Sequence, residues 1–152
     1  LPLPGSFDNI LLGLSPARWN PVVPLAGRCA LYQRAAEVLG QVGLAPLAGR
    51  PLAQLSYGEK RRVEIAMALA QNPKLLLLDE PLAGLSREER AAMLSLLAAI
   101  PRDITIVMIE HDMDSALSFA ERITLLHYGQ VLVEGTRAEV VGHPKTREVY
   151  LG

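Results

Sequence analysis

Two short segments carry the residue types that phosphate chemistry needs. The first is Leu55-Ser56-Tyr57-Gly58-Glu59, and sixteen residues further on comes Leu75-Leu76-Leu77-Leu78-Asp79-Glu80-Pro81. Ser56 can cap a helix and Glu59 can return to the cap's own amide, which makes the segment a well-formed helix start. A helix N-terminus also offers free amides and positive potential to an anion. Gly58 would let that anion approach the backbone where a side chain would obstruct it. In the second segment, an apolar run delivers two adjacent carboxylates at its C-terminal end, where open α/β sheets bind ligands. Neighbouring residues on a strand point to opposite sides, so Asp79 and Glu80 need not share one task. Either segment alone has a bland explanation, a capped helix or two exposed acids, but the pair in this order does not.

The elements around these segments must place them. The basic triplet Lys60, Arg61, Arg62 and Glu64 lie largely off the face formed by Val63, Ala66, Met67 and Ala70, as in an amphipathic helix whose charged face is solvated. Leu75–Leu78 is expected to be a strand buried on both sides. Ser86-Arg87-Glu88-Glu89 has the form of a second capping box and opens a helix to about Ala99. Ile104–Ile109 is a second buried strand, followed by a helix over Asp112–Ala120. Ile123–His127 and Gln130–Glu134 form a strand pair turned by Tyr128-Gly129. Short helices near Ala138 and Thr146 complete the pattern. Upstream, helical patterns at Phe7–Leu14 and Leu31–Val42 flank a Pro-rich loop, Ser15–Gly27, that holds Trp19 as a packing residue. Strand, helix, strand, helix, strand implies a largely parallel α/β sheet with crossover helices.

The two segments together resemble the signature and Walker B motifs of ABC-type ATPases, and the chain is similar to the C-terminal portion of their nucleotide-binding domain. The implied fold is a partial α/β, P-loop NTPase-like ABC ATPase domain. Residues 1–58 would be a helical subdomain ending in the signature, and residues 59–152 the C-terminal part of the ATPase core. The resemblance implies ATP and Mg²⁺ as cofactors. Leu55, Ser56, Tyr57, Gly58 and Glu59 would contact ATP bound by a partner subunit. Asp79 would hold Mg²⁺ through water, and Glu80 would polarise the attacking water. Ala83-Gly84-Leu85-Ser86 matches the D-loop, departing from the family at Ser86, where Asp is usual. His111, in Glu110-His111-Asp112 after a strand, matches the switch histidine; His127 and His143 match no motif. Tyr57 in place of Gly, Ile109–Met113, Tyr128-Gly129-Gln130 and the stretch from Pro144 through Val149 to Gly152 are similar to the ATPase subunits of branched-chain amino acid importers. Lys60 replaces their usual Gln.

Composition sets the remaining bounds. The chain has 152 residues, half of them hydrophobic, with a formal net charge of -1 and a single cysteine, Cys29. That suits a domain in a reducing compartment and argues against nucleic acid as a partner. No apolar run approaches a membrane span, and the start at Leu1 shows no signal peptide and is expected to lie inside a longer gene product. The sequence G-x-x-x-x-G-K-[ST] does not occur, and Gly58-Glu59-Lys60 is too short to wrap phosphates. The resemblance implies that the phosphate, aromatic and Q-loops lie upstream. It further implies a second ATPase subunit and transmembrane permease subunits as partners, with a solute-binding protein served indirectly. The location would be the cytoplasmic face of a bacterial or archaeal membrane. Two other functions fit the motifs: a non-catalytic chain that only binds transporter subunits, and a chromosome or DNA-repair ATPase. The latter lacks here the long heptad arms it requires.

Overall fold

The computed structural model describes Ile10 and residues 25–151, so the helix expected at Phe7–Leu14 and most of the loop around Trp19 lie outside the described residues. The chain divides into two compact units, Leu1–Met108 and Ile109–Gly152.

The first unit begins with helix α1, Leu25–Gln41. It starts six residues before the expected Leu31 and takes in Gly27, the end of the expected loop. Leu25, Ala26 and Ala30 are strong helix formers, enough to carry one glycine at a cost of about 1 kcal/mol. Two short 3₁₀ turns, Ala45–Leu47 and Leu52–Gln54, lead to α2, Tyr57–Ala70. Val63, Ile65, Ala66, Leu69 and Ala70 of α2 are buried, with Met67 half-buried. Arg34 of α1 secures the far end of α2: its Nη2 donates to Leu69 O at 3.1 Å and to Asn72 Oδ1 at 2.6 Å. Asn72 has φ 50°, a left-handed helix stop that Asn tolerates better than most side chains, and a cation there suits the helix's negative end.

Strand β1 is Leu75–Asp79, and β2 is Thr105–Ile109, joined by helix α3, Arg87–Ala98. The two strands pair in a parallel two-stranded sheet, with Thr105 N–H donating to Lys74 O at 2.9 Å just before the ladder. The expectation of strands buried on both sides is corrected here. Leu76 is 5% exposed, but Leu75 and Leu77 stand 50% and 68% exposed, and Val107 and Ile109 48% and 63%. An apolar run records a need for cover on both faces, and the described residues cover one. Met93 and Leu97 of α3 are each 1% exposed, and so are among the residues that helix commits to the core. Met93→Ala is expected to cost about 2–5 kcal/mol, through lost burial plus a residual cavity, as read from the urea unfolding midpoint. A loss below ~1 kcal/mol would show that the site collapses around the smaller residue.

The second unit comprises α4, Met113–Phe119; β3, Ile123–His127; β4, Gln130–Gly135; α5, Arg137–Gly142; and a short helix α6, Pro144–Thr146, running into a π-helical turn over Arg147–Leu151. β3 and β4 are antiparallel, with a register irregularity between Leu125 and Leu126. Tyr128 at φ 48° and Gly129 at φ 75° form the left-handed two-residue turn whose twist matches a hairpin. Leu117, Ile123 and Val140 form the core of this unit, with Met113 and Val133 packed on them.

Candidate functional site

The helix start at Ser56 is built as its residue types require. Ser56 Oγ accepts from Glu59 N–H at 3.2 Å, and Glu59 Oε2 accepts from Ser56 N–H at 2.7 Å. Ser56 and Tyr57 are exposed, while Gly58 is buried. A Cβ at Gly58 would lie 2.6 Å from Oε1 of Glu89, so a carboxylate oxygen rests against the backbone there and any larger residue would have to push the Glu89 side chain aside. The positive potential of the helix end thus already faces an anionic group. Arg61, one turn along, is engaged locally: its guanidinium meets Glu64 at 2.8 Å and lies 5.4 Å from the centre of the Tyr57 ring. The hydrogen bond to Glu64, then that to Tyr57, raise its pKa above the ordinary arginine value.

Asp79 closes β1, and Glu80 follows in a left-handed conformation with φ 44°. For a non-glycine residue this is costly, of order 1–3 kcal/mol, and such conformations concentrate at functional sites. The turn that holds it is tight: Ala83 N–H donates to Glu80 O at 3.1 Å, and Leu82, 1% exposed, anchors it in the core. Both carboxyl-bearing residues remain exposed. An open groove runs between α2 and β1, lined by Arg61, Glu64, Ile65 and Ala68 on one side and Leu76–Asp79 on the other.

The segment Ala83–Ser86 packs on the helix start. Gly84 has φ 73°, and a Cβ there would come 3.3 Å from Cε1 of Tyr57. Leu85 is buried. Ser86 caps α3 in a full capping box, with Ser86 Oγ accepting from Glu89 N–H at 3.2 Å and Glu89 Oε2 from Ser86 N–H at 3.0 Å. Where Asp is usual, Ser86 is thus a working helix cap. Glu89 does more than its position in a capping box indicates. Its other oxygen, Oε1, lies 3.4 Å from Ser56 Oγ, across 33 positions of sequence. The hydrogen bonds from Ser86, then those from Ser56 and Gly58, hold its carboxyl below the ordinary glutamate range. Periodicity and capping rules find Glu89 as a local cap; they carry no signal for this second contact.

His111 belongs to the second unit, exposed in the bend before α4. Its neighbour Asp112 caps α4, accepting from Asp114 N–H at 3.1 Å and from the Ser115 hydroxyl at 3.0 Å. Among the described residues no group of three or more His, Cys, Asp or Glu side chains could hold a metal on protein ligands alone. A lone carboxylate such as Asp79 still fits Mg²⁺, a hard ion that keeps several waters and takes further oxygens from phosphate.

Residues 7–83 match the model of the ABC transporter family. The chain belongs to this family. Its curated relatives include the methionine import ATP-binding protein of Caulobacter vibrioides, 44% identical over 90% of this chain and 42% of the relative. A phosphonates import ATP-binding protein of Rhodopseudomonas palustris is 41% identical over 88% of the chain and 47% of its own length. Among solved structures, an ATP-binding cassette of an ABC transporter in its ADP conformation superposes with a TM-score of 0.78 at 28% identity, covering 97% of this chain and 63% of that one. The cassette cbiO1 from Clostridium perfringens, part of the transporter complex cbiONQ, gives 0.80 at 28% identity, covering 98% and 58%. The chain therefore spans less than half the length of these curated relatives. The ABC cassette architecture expected from the motifs is the one observed.

Proposed function

We propose that this chain is the signature and Walker B portion of the ATP-hydrolysing subunit of an ABC importer. The observation that supports this most is the strained Glu80 immediately after β1, in the same unit as a capped helix start whose glycine lies against a carboxylate, within a segment matching the family. Leu55–Glu59 would meet the γ-phosphate of ATP held by the second ATPase subunit, through the Ser56 hydroxyl and the Gly58 amide. Asp79 would hold Mg²⁺ through water, and the ion supplies charge neutralisation on the phosphates. Glu80 would take the proton of the attacking water, and His111 would hydrogen-bond the γ-phosphate. Phosphoryl transfer needs mainly positioning and charge stabilisation, which a short set of such residues provides. Ala83–Ser86 would lie at the dimer interface, in keeping with its packing against Tyr57. Residues 1–58 serve as the helical subdomain facing the permease subunits, and residues 59–152 as part of the core.

The chain holds no G-x-x-x-x-G-K-[ST], so Leu55–Glu59 would act in trans on nucleotide held by the second subunit, while Asp79, Glu80 and His111 depend on a phosphate loop to hold their ATP. No helix among the described residues is long and apolar enough to cross a membrane. By its family the subunit would lie at the cytoplasmic face, bound to permease subunits that serve a solute-binding protein. As to solute, Tyr57 and the segment around His111 suggest a branched-chain amino acid. The relatives are named for methionine, phosphonates and sulfate or thiosulfate, so the class supported in common is an imported small solute.

The test is Ser56→Ala in a full-length cassette carrying this chain. ATP binding to each subunit should persist, since the phosphate loop supplies it, while ATP-driven dimerisation and turnover fall at least about tenfold with the loss of a charge-assisted hydrogen bond. Dimerisation and turnover unchanged from wild type would exclude the signature role.

A further inference from the structure

The donors that this proposed site would offer to a γ-phosphate are already engaged. Glu59 N–H is taken by Ser56 Oγ within the capping box. The Ser56 hydroxyl faces Glu89 Oε1 at 3.4 Å, and the same carboxylate rests against the backbone at Gly58. The contact at Gly58 is close: a Cβ there would fall 2.6 Å from Oε1 and 2.9 Å from Cδ of Glu89. Oε2 meanwhile stays on Ser86 N–H at 3.0 Å, so one carboxylate bridges the N-termini of α2 and α3. Two positive helix ends therefore share one negative charge, the arrangement that best stabilises it at both. The 3.4 Å separation from Ser56 is long for an O–H···O bond, which makes this arm the weaker of the two and the one able to yield.

The geometry points to Glu89 as an intramolecular stand-in for phosphate: its carboxylate occupies the anion position of the signature helix until ATP on the partner subunit displaces it. This rests on the assignment of Ser56 and Gly58 as the trans phosphate contact. Displacement turns Oε1 away from Ser56 and Gly58 while Oε2 remains on Ser86, so α3 keeps its cap and the bridge between the two helices opens. Because Ala83–Ser86 leads directly into α3, and Gly84 packs on Tyr57, release of Glu89 ties phosphate arrival to the D-loop. In the undocked subunit the same charge repels a competing anion, so free phosphate gains little hold on the exposed helix end.

The experiment measures ATP-driven dimerisation of full-length cassettes by sedimentation, in a Glu80→Gln background that slows turnover. Glu89→Gln keeps an oxygen for Ser86 N–H and removes the charge. It is expected to lower the ATP concentration needed for half-dimerisation about fivefold, with ATP binding to the monomer unchanged. Glu89→Asp, which keeps the charge one methylene short of Ser56, should shift it less. If Glu89→Gln leaves dimerisation unchanged or weakens it while Ser56→Ala impairs it, the signature assignment stands and the role of Glu89 is refuted. If Ser56→Ala dimerises like wild type, the signature assignment fails and the competition fails with it. Should Glu89→Gln lower the thermal midpoint, the Ser56→Ala and Glu89→Gln double variant decides. Loss of the tightening in that background supports competition at Ser56, and its persistence overturns it.

Discussion

Glu80→Gln in a full-length cassette carrying this chain is expected to lower ATP turnover by about 10²–10³-fold while ATP-driven dimerisation persists. The amide preserves the shape of the side chain and the left-handed turn that holds it, but it cannot accept a proton from water. The Ala83 to Glu80 backbone hydrogen bond and the buried Leu82 hold the turn, and Gln keeps the length and shape of Glu, so the substitution should leave the backbone in place. Asp79→Asn should act differently, raising the Mg²⁺ concentration needed for activity, because its position at the end of β1 suits a ligand to the ion's water shell. Rapid-quench measurement of ATP cleavage separates the two: the first variant slows cleavage at saturating Mg²⁺, the second is relieved by it. Near-normal turnover in Glu80→Gln would place the general base elsewhere.

The 152-residue chain by itself should self-associate, and its association should be governed by the β1–β2 sheet. Leu75, Leu77, Val107 and Ile109 are each about half exposed or more. Burying the exposed halves of four such side chains is worth on the order of 4 kcal/mol before the entropy of association is deducted. Exposed apolar strands are also templates for further pairing, which native proteins normally cover or charge. Sedimentation velocity should show oligomers that dissociate on Leu77→Lys together with Val107→Lys, and a monodisperse species once the phosphate-loop half of a cassette precedes the chain. A stable monomer that unfolds cooperatively would contradict this and would mean that the strands find cover within the chain. The solved cassettes extend well beyond the matched region, which spans 63% and 58% of their lengths, so they have further chain able to provide such cover.

What the sequence by itself determined was local. Ser56 with Glu59 and Ser86 with Glu89 are capping boxes because hydroxyl and carboxylate sit three residues apart, and both boxes are present in the structure. Tyr128-Gly129 turns a hairpin because it lies between two strand-forming runs and supplies the left-handed backbone such a turn requires. The apolar run ending Asp79-Glu80-Pro81 forms a strand, and together with the signature pattern it marks the family. The helix expected from Leu31 begins at Leu25, a start that the helix formers Leu25, Ala26 and Ala30 allow in spite of Gly27. Tertiary structure alone decided two other things. The strands expected to be buried on both sides are covered on one, because an apolar residue states a demand for burial that only a neighbouring element can meet. And Glu89, read as a cap on its own helix, reaches Ser56 and Gly58 with its second oxygen. A carboxylate has two faces; spacing along the chain specifies the partner of one, and only the packing of α3 beside α2 supplies the partner of the other.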